Sequence, residues 1–320
     1  MENYFRDGIM GLVTGDALGV PVEFADRKKL KTDPVTDMRA YGTHYQPAGT
    51  WSDDSSMVLA EMDSLLKGLD YQDMMEKFSL WWMYGDYTPY GKAFDIGIST
   101  SRAIMNYGKG MEPLDCGGKA EMDNGNGSLM RILPVALYVY KETGNLCRDE
   151  SLTIIHQASR LTHAHPRSQI ACGIYAILTE DIIRNKKEET PADLCIGSLK
   201  RSRRHYEETE YPAEWKEELE EFGRLWDGDA FFKMPEEKIE STGYVVDTLE
   251  AAVWCFGTTE SYRDCVLKAV NLGNDTDTVA AVAGGLAGCY YGYEAIPEEW
   301  RRQLARREWI EELCRELFEK

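Results

Sequence analysis

The sequence predicts an all-α fold, and three observations carry that reading. Apolar residues recur at spacings of three and four along most of the chain, few stretches alternate apolar and polar residues over strand length, and short groups of Gly, Pro and Asn separate the periodic segments. The clearest stripe runs from Met57 to Leu69, where Val58, Met62, Leu65, Leu66 and Leu69 share a face behind a serine-rich start. Similar stripes cover Tyr71 to Met83, Phe94 to Tyr107, Ser151 to Ala158, Ser168 to Arg184, Thr248 to Phe256, Tyr262 to Asn271 and Trp300 to Phe318, and an apolar helix is expected from Ile132. The glycines gather between them, at Gly42 to Gly49, Tyr107 to Gly110 and Asp123 to Gly127.

Composition narrows the function classes. The 320 residues include 55 acidic and 36 basic side chains, a formal charge of −19, which repels phosphate backbones and anionic headgroups and speaks against a nucleic-acid complex or a membrane-surface role. Hydrophobic residues make up 43% of the chain, enough for a large core. The longest apolar run, near Val279 to Tyr291, is shorter than the roughly 20 residues a bilayer-spanning helix needs. The first residues show neither a basic nor a leucine-rich leader, and eight scattered cysteines form no CxxC pair; both point to a reduced, cytoplasmic protein without a thiolate zinc site. Charges cluster between Asn185 and Glu240 as they do on solvated helix faces, without a linker-like tract, so residues 1–320 are expected to form one compact domain.

Two acidic segments, near opposite ends of the chain, carry the chemistry. Gly49-Thr50-Trp51-Ser52-Asp53-Asp54-Ser55-Ser56 places adjacent carboxylates at the start of the Met57 helix, where they repel each other unless cations or donors hold them. A plain alternative is a helix turn capped by Ser52 or Asp53. Asn274-Asp275-Thr276-Asp277-Thr278 opens a segment of small residues whose glycines at 284, 285 and 288 admit close backbone approach. A helix apolar on every side belongs in the middle of a protein, so Asp275 and Asp277 are expected to be carried inward; they converge on one point only from a turn or cap. Both segments combine carboxylates with hydroxyls and contain neither Cys nor His, a donor set that suits hard divalent cations such as Mg²⁺, Mn²⁺ or Ca²⁺. A third segment, Asn124-Gly125-Asn126-Gly127-Ser128-Leu129-Met130-Arg131, can form an anion cradle from backbone N–H groups and a helix N-terminus, with glycines free to take positive φ, or an ordinary tight turn. His163-Ala164-His165 lacks the partners of a zinc site.

These segments, with Gly8 to Phe24, Phe94-Asp95-Ile96-Gly97, Thr162-His163 and Gly243-Tyr244-Val245, resemble the ADP-ribosylglycohydrolase family in order along nearly the whole chain. The resemblance implies a compact, single-domain orthogonal helical bundle with a metal-containing cleft holding two divalent cations, Mg²⁺ or Mn²⁺. Their ligands would be Ser52, Asp53, Asp54, Asp275, Asp277 and Thr278. Asn126, Gly127, Ser128, Met130 and Arg131 would hold the diphosphate or distal ribose, with His163 and Tyr244 lining the pocket. Glu23 and Asp95, with metal-bound Asp54 as a third choice, are the catalytic candidates. Ser52 stands where the family often has threonine, and the hydroxyl is kept.

The function so implied is hydrolysis of the glycosidic bond between ADP-ribose and a modified acceptor, a protein side chain such as arginine or serine, or a nucleobase, through an oxocarbenium-like state. ADP-ribose would be the product and the ADP-ribosylated acceptor the partner. A non-catalytic ADP-ribose-binding or crystallin-like relative, and a binuclear phosphoester hydrolase, are the competing readings.

Overall fold

The computed structural model describes residues 3–186 and 188–320, and among them the regular structure is helical, with isolated bridges at Gly118–His163 and Gly125–Tyr244 instead of a sheet. The α-helices in chain order are α1 (Tyr4–Gly19), α2 (Arg27–Thr32), α3 (Asp53–Leu65), α4 (Tyr71–Tyr84), α5 (Ile98–Gly108), α6 (Leu133–Thr143), α7 (Asp149–Arg160) and α8 (Pro166–Asn185). They continue as α9 (Pro191–Glu208), α10 (Ala213–Glu218), α11 (Asp229–Phe232), α12 (Val245–Gly257), α13 (Tyr262–Asn271), α14 (Thr276–Tyr291), α15 (Glu298–Gln303) and α16 (Arg307–Glu319).

Helix α14 forms the axis of the fold. Its residues from Thr276 to Cys289 are all buried, as its uniformly small and apolar composition demands. It lies along α1, and α8, α12 and α13 pack around the pair. The approach is close because small residues face each other: a Cβ on Gly11 would fall on the Gly284 carbonyl, one on Gly15 on the Ala280 carbonyl and one on Gly19 on the backbone of Asp277. That contact decides where the chemistry sits, since it brings the C-terminal end of α1 against the N-terminal end of α14. Helix α3 reaches the same point from the side, in contact with both.

Local signals account for the boundaries. Ser52, Asp70, Thr190 and Ser261 cap the helices that follow them through side-chain oxygens, Pro166 and Pro191 stand in first turns, and Gly85 and Gly144 end α4 and α6 in the left-handed conformation. The charged stretch after residue 190 forms solvent-facing helices, with Leu194, Cys195, Leu199 and Tyr206 of α9 buried on one face.

Three boundaries differ from the sequence pattern, the first being α3, which ends at Leu65 although the stripe runs to Leu69. The stripe from Trp300 to Phe318 is broken, because Ala305 N–H donates to the Gly49 carbonyl (3.0 Å) and Arg306, at φ 47°, donates to the Thr88 carbonyl (2.9 Å) and covers the Trp309 ring. Tertiary bonds outweigh the local helical period there. The helix expected from Phe94 begins only at Ile98, and residues 94–97 form a loop with Asp95 in the left-handed region (φ 63°). No helix among the described residues is long and apolar enough to cross a membrane.

Candidate active site

Where α1, α3 and α14 meet, their ends place buried acids around one point. Asp16, in the last turn of α1, accepts hydrogen bonds from the Ser52 N–H (2.9 Å), the Ser55 N–H (3.1 Å) and the Ser55 hydroxyl (2.5 Å), which fixes the turn that opens α3. That turn aims Asp54 inward, where its Oδ2 accepts from the hydroxyls of Ser52 (2.8 Å) and Thr278 (3.3 Å). Asp275 occupies the capping position of α14, yet its side chain makes no capping bond; it accepts instead from Asn126 Nδ2 (2.8 Å). Asp277 follows in the first turn and accepts the Thr278 N–H at Oδ1 (3.0 Å).

Carboxylate oxygens of Asp16, Asp54 and Asp277 lie within 4.8 Å of one another, and so do those of Glu23, Asp275 and Asp277. Asp277 belongs to both groups. Two oxygens in this cluster, Asp54 Oδ1 and Asp277 Oδ2, are buried without a hydrogen-bond partner among the described residues, although buried polar atoms are nearly always paired. Burial is the first cause that lifts these acids; repulsion from neighbouring carboxylates adds to it at Glu23, Asp53, Asp54, Asp95 and Asp277, while bonds from Ser52 and Ser55 offset it at Asp16. Asp16 and Asp95 are raised to about 6, Glu23 to about 10, and Asp53, Asp54 and Asp277 well above the carboxylate range. Such a group ionises together only against positive charge. All-oxygen donors, unpartnered oxygens and this charge deficit fit hard divalent cations, so the acidic cluster can bind metal.

Above the cluster opens a cleft of about 400 Å³. Glu23, Asp53, Asp95, Asp275 and Thr278 form its acidic wall, and Asn126, Gly127, Met130 and His163 the wall opposite. Asn126 joins the two, since its Nδ2 donates both to Asp275 and to Thr248 Oγ1 (2.9 Å). The N–H groups of Gly127, Ser128 and Leu129 find no acceptor among the described residues. Gly127 is required for space and not for positive φ: a Cβ there would press on the His163 ring and Thr100 Oγ1. His163 is buried and held neutral, lowered to about 3 by burial first and then by the charge of Arg131, while its Nδ1 engages Thr162 Oγ1 (2.9 Å).

The structure therefore gathers at the cleft or directly beneath it Ser52, Asp53, Asp54, Asp275, Asp277 and Thr278, the acids Glu23 and Asp95, and Asn126, Gly127, Met130 and His163. Asp53 faces the cleft but lies outside both carboxylate triplets. Three expected pocket residues stand elsewhere. Arg131 is fully buried, ion-paired with Glu61 and donating to the Ala158 carbonyl (3.0 Å) and Thr162 Oγ1 (2.8 Å), so its charge is not available to a diphosphate. Ser128 is fully buried, its hydroxyl accepting from Ser159 Oγ (2.9 Å). Tyr244 turns its hydroxyl to Arg167 (2.8 Å) and Glu221 (3.2 Å), away from the cleft lining.

Two site residues escaped the sequence reading. Asp16 was visible as the one acid among the apolar and small residues that precede Gly19, a signal that a buried carboxylate needs a purpose. His44, bonded to Glu23, sits in an irregular loop whose sequence carries no periodic signal.

The profile of the ADP-ribosylglycohydrolase family matches residues 1–320. The chain is 31% identical over 316 residues to ADP-ribosylarginine hydrolase Tri1 of Serratia proteamaculans, covering 98% of this chain and 78% of that protein. It is 30% identical over 306 residues to the ADP-ribosyl-[dinitrogen reductase] glycohydrolase of Rhodospirillum rubrum, covering 92% of this chain and 88% of that one. A solved structure titled ADP-ribosylglycohydrolase-related protein complex superposes with a TM-score of 0.79 at 31% identity, over 99% of this chain and 98% of its own.

Proposed function

Since the chain belongs to the ADP-ribosylglycohydrolase family, we propose that it is a metal-dependent hydrolase that releases ADP-ribose from ADP-ribosylated arginine on a protein. The observation that carries this reading is the pair of carboxylate triplets sharing Asp277 at the base of the cleft, a layout that suits two neighbouring cations, Mg²⁺ or Mn²⁺. The arginine linkage is favoured by the names of the relatives at about 30% identity, ADP-ribosylarginine hydrolase among them. We take residues 1–320 as one catalytic domain, because its site draws on α1, α3 and α14 together.

Asp16, Asp54, Asp275, Asp277 and Glu23 are the residues that would hold the cations, with Asp53 and the Ser52 and Thr278 hydroxyls at the rim. Bound there, divalent ions supply positive charge and Lewis acidity for the ribose hydroxyls and the diphosphate. The chain's own groups do the rest. Gly127, whose N–H finds no acceptor among the described residues, lines the cleft and can donate to an anionic oxygen in a protein whose net charge otherwise repels it. Neutral His163 and Met130 close the wall behind the sugar.

In the hydrolysis, the bond from the anomeric carbon to the acceptor nitrogen breaks, a water oxygen takes its place, and the proton lost by that water is balanced by one gained at the departing nitrogen. Glu23 and Asp95 both face the cleft, so one can take the proton of the water while the other supplies one to the leaving nitrogen, as an acid–base pair requires. The test is release of free ADP-ribose from ADP-ribosylarginine, ADP-ribosylserine and ADP-ribosylated nucleobase substrates in Mg²⁺ or Mn²⁺, with Asp53→Ala and Asp277→Ala as controls. Turnover of the arginine substrate that both substitutions abolish supports the proposal; no turnover of any substrate, or undiminished turnover in both variants, overturns it.

A further inference from the structure

Glu23 and Asp95 lie on two loops outside the helical framework, and each loop contains a residue in the left-handed region, Phe24 (φ 60°) and Asp95 (φ 63°). Something must hold such segments in register, because a strained backbone persists only where its surroundings fix it. His44 touches both. Its Nε2 is hydrogen-bonded to Glu23 Oε2 and lies 3.8 Å from Asp95 Oδ1, and its ring packs on Phe94, centroids 5.1 Å apart, next to Asp95 in sequence. The segment that carries His44 is itself strapped to the Glu23 loop: Thr43 Oγ1 donates to the Glu23 carbonyl (2.6 Å) and Thr43 N–H to the Pro21 carbonyl (3.0 Å). Pro21 O also occupies the place a Cβ on Gly42 would need. His44 does not line the cleft, so it reaches a substrate only through the Glu23 carboxyl group.

We propose that His44 is a positioning residue of the hydrolase, whose imidazole, hydrogen-bonded to Glu23 and packed against Phe94, sets the orientation from which Glu23 acts on the glycosidic bond. The inference rests on the hydrolase reading above. The ring that bonds the Glu23 carboxyl is itself packed against Phe94 at an interplanar angle of 41°, so removing the ring nitrogen frees the carboxyl to turn. A catalytic group displaced by about 1 Å costs on the order of 100-fold in rate, while contacts that bind the rest of the substrate are untouched.

The experiment compares kcat and KM for ADP-ribose release in wild type, H44F, H44Q, E23Q and the double variant H44F/E23Q, with a thermal melt for each. H44F keeps an aromatic ring against Phe94 and removes the nitrogen that bonds Glu23; H44Q returns an amide nitrogen at similar reach. The expected result is a kcat lowered about 10- to 100-fold in H44F with KM within about threefold, partial recovery in H44Q, and a double variant no slower than E23Q, because His44 acts through Glu23. Wild-type kcat in H44F, or losses that multiply in the double variant, would overturn the inference while leaving the hydrolase reading intact. An inactive wild-type enzyme would overturn the hydrolase reading instead, and this inference with it.

Discussion

Arg131→Met separates two roles for a residue whose position in a glycine-rich loop suggests contact with substrate. In the structure the guanidinium is entirely buried, pairs with Glu61, donates to Ala158 O and Thr162 Oγ1, and stands 4.9 Å from the centre of the Phe78 ring. Removing one partner of a buried pair costs about 3 to 5 kcal/mol, and the two orphaned acceptors fall within that figure. At roughly 2 °C per kcal/mol for a chain of this size, the melting temperature should drop by about 8 °C. Replacing both partners, as in E61L/R131M, should recover most of the loss, since an apolar pair of similar volume is tolerated where a lone charge is not.

The pH dependence has a definite sign. Burial raises Glu61 to about 7 against the pull of Arg131, so its contribution to stability is fully present below about 4.5 and lost as pH rises through about 7. Without Arg131 the carboxyl stays neutral to higher pH and the loss continues, so the deficit of R131M relative to wild type should widen above pH 7. Thermal melts and ADP-ribose titrations between pH 6 and 8.5 read both effects. A variant that melts within 2 °C of wild type but binds ADP-ribose at least tenfold more weakly would refute this assignment and return Arg131 to the substrate.

Other consequences follow from the same packing. His156 is fully buried, bonded through Nε2 to Tyr206 OH (2.8 Å) and lowered by burial to about 3, so it stays neutral when folded while the unfolded chain takes up a proton below about 6.5. Wild type should therefore lose stability relative to His156→Phe by about 1.4 kcal/mol per pH unit between pH 6 and 4, measured by urea unfolding; parallel curves would contradict it. Gly15→Ala drives a Cβ into the Ala280 carbonyl and should destabilise by about 3 kcal/mol, while an unchanged unfolding midpoint would mean that α1 and α14 are less tightly joined. Asn126→Ala removes the donor that orients Asp275 and should weaken Mn²⁺ binding about 10- to 100-fold, as read by calorimetry; wild-type affinity would exclude a supporting role for this amide.

The sequence displayed the parts of the site that obey a local rule. Two acidic segments heading helices, one of them apolar on every face, already required a buried cluster, and the small residues of α14 required a close neighbour. That neighbour, α1, meets it through glycines whose partners lie more than two hundred positions away, and no local pattern names such a pairing. Arg131 and Ser128 show a related limit: they sit in the loop next to the cleft, but their side chains are buried, where Glu61 and Ser159 complete them. Asp95 is named by the resemblance, but its loop is masked by a helical stripe that starts only at Ile98, and His44 lies in a loop where tertiary contacts alone give the ring its place.

The central claim is that the cluster around Asp277 holds divalent cations that the hydrolysis requires. The most direct measurement is Mn²⁺ binding by isothermal calorimetry on chelator-stripped protein, with ADP-ribose release assayed in the same samples for wild type and Asp277→Asn. The account predicts two Mn²⁺ per wild-type chain, activity that returns as they bind, and neither full occupancy nor activity in the variant. Undiminished release of ADP-ribose by stripped wild-type protein, or wild-type Mn²⁺ binding in Asp277→Asn, would contradict it.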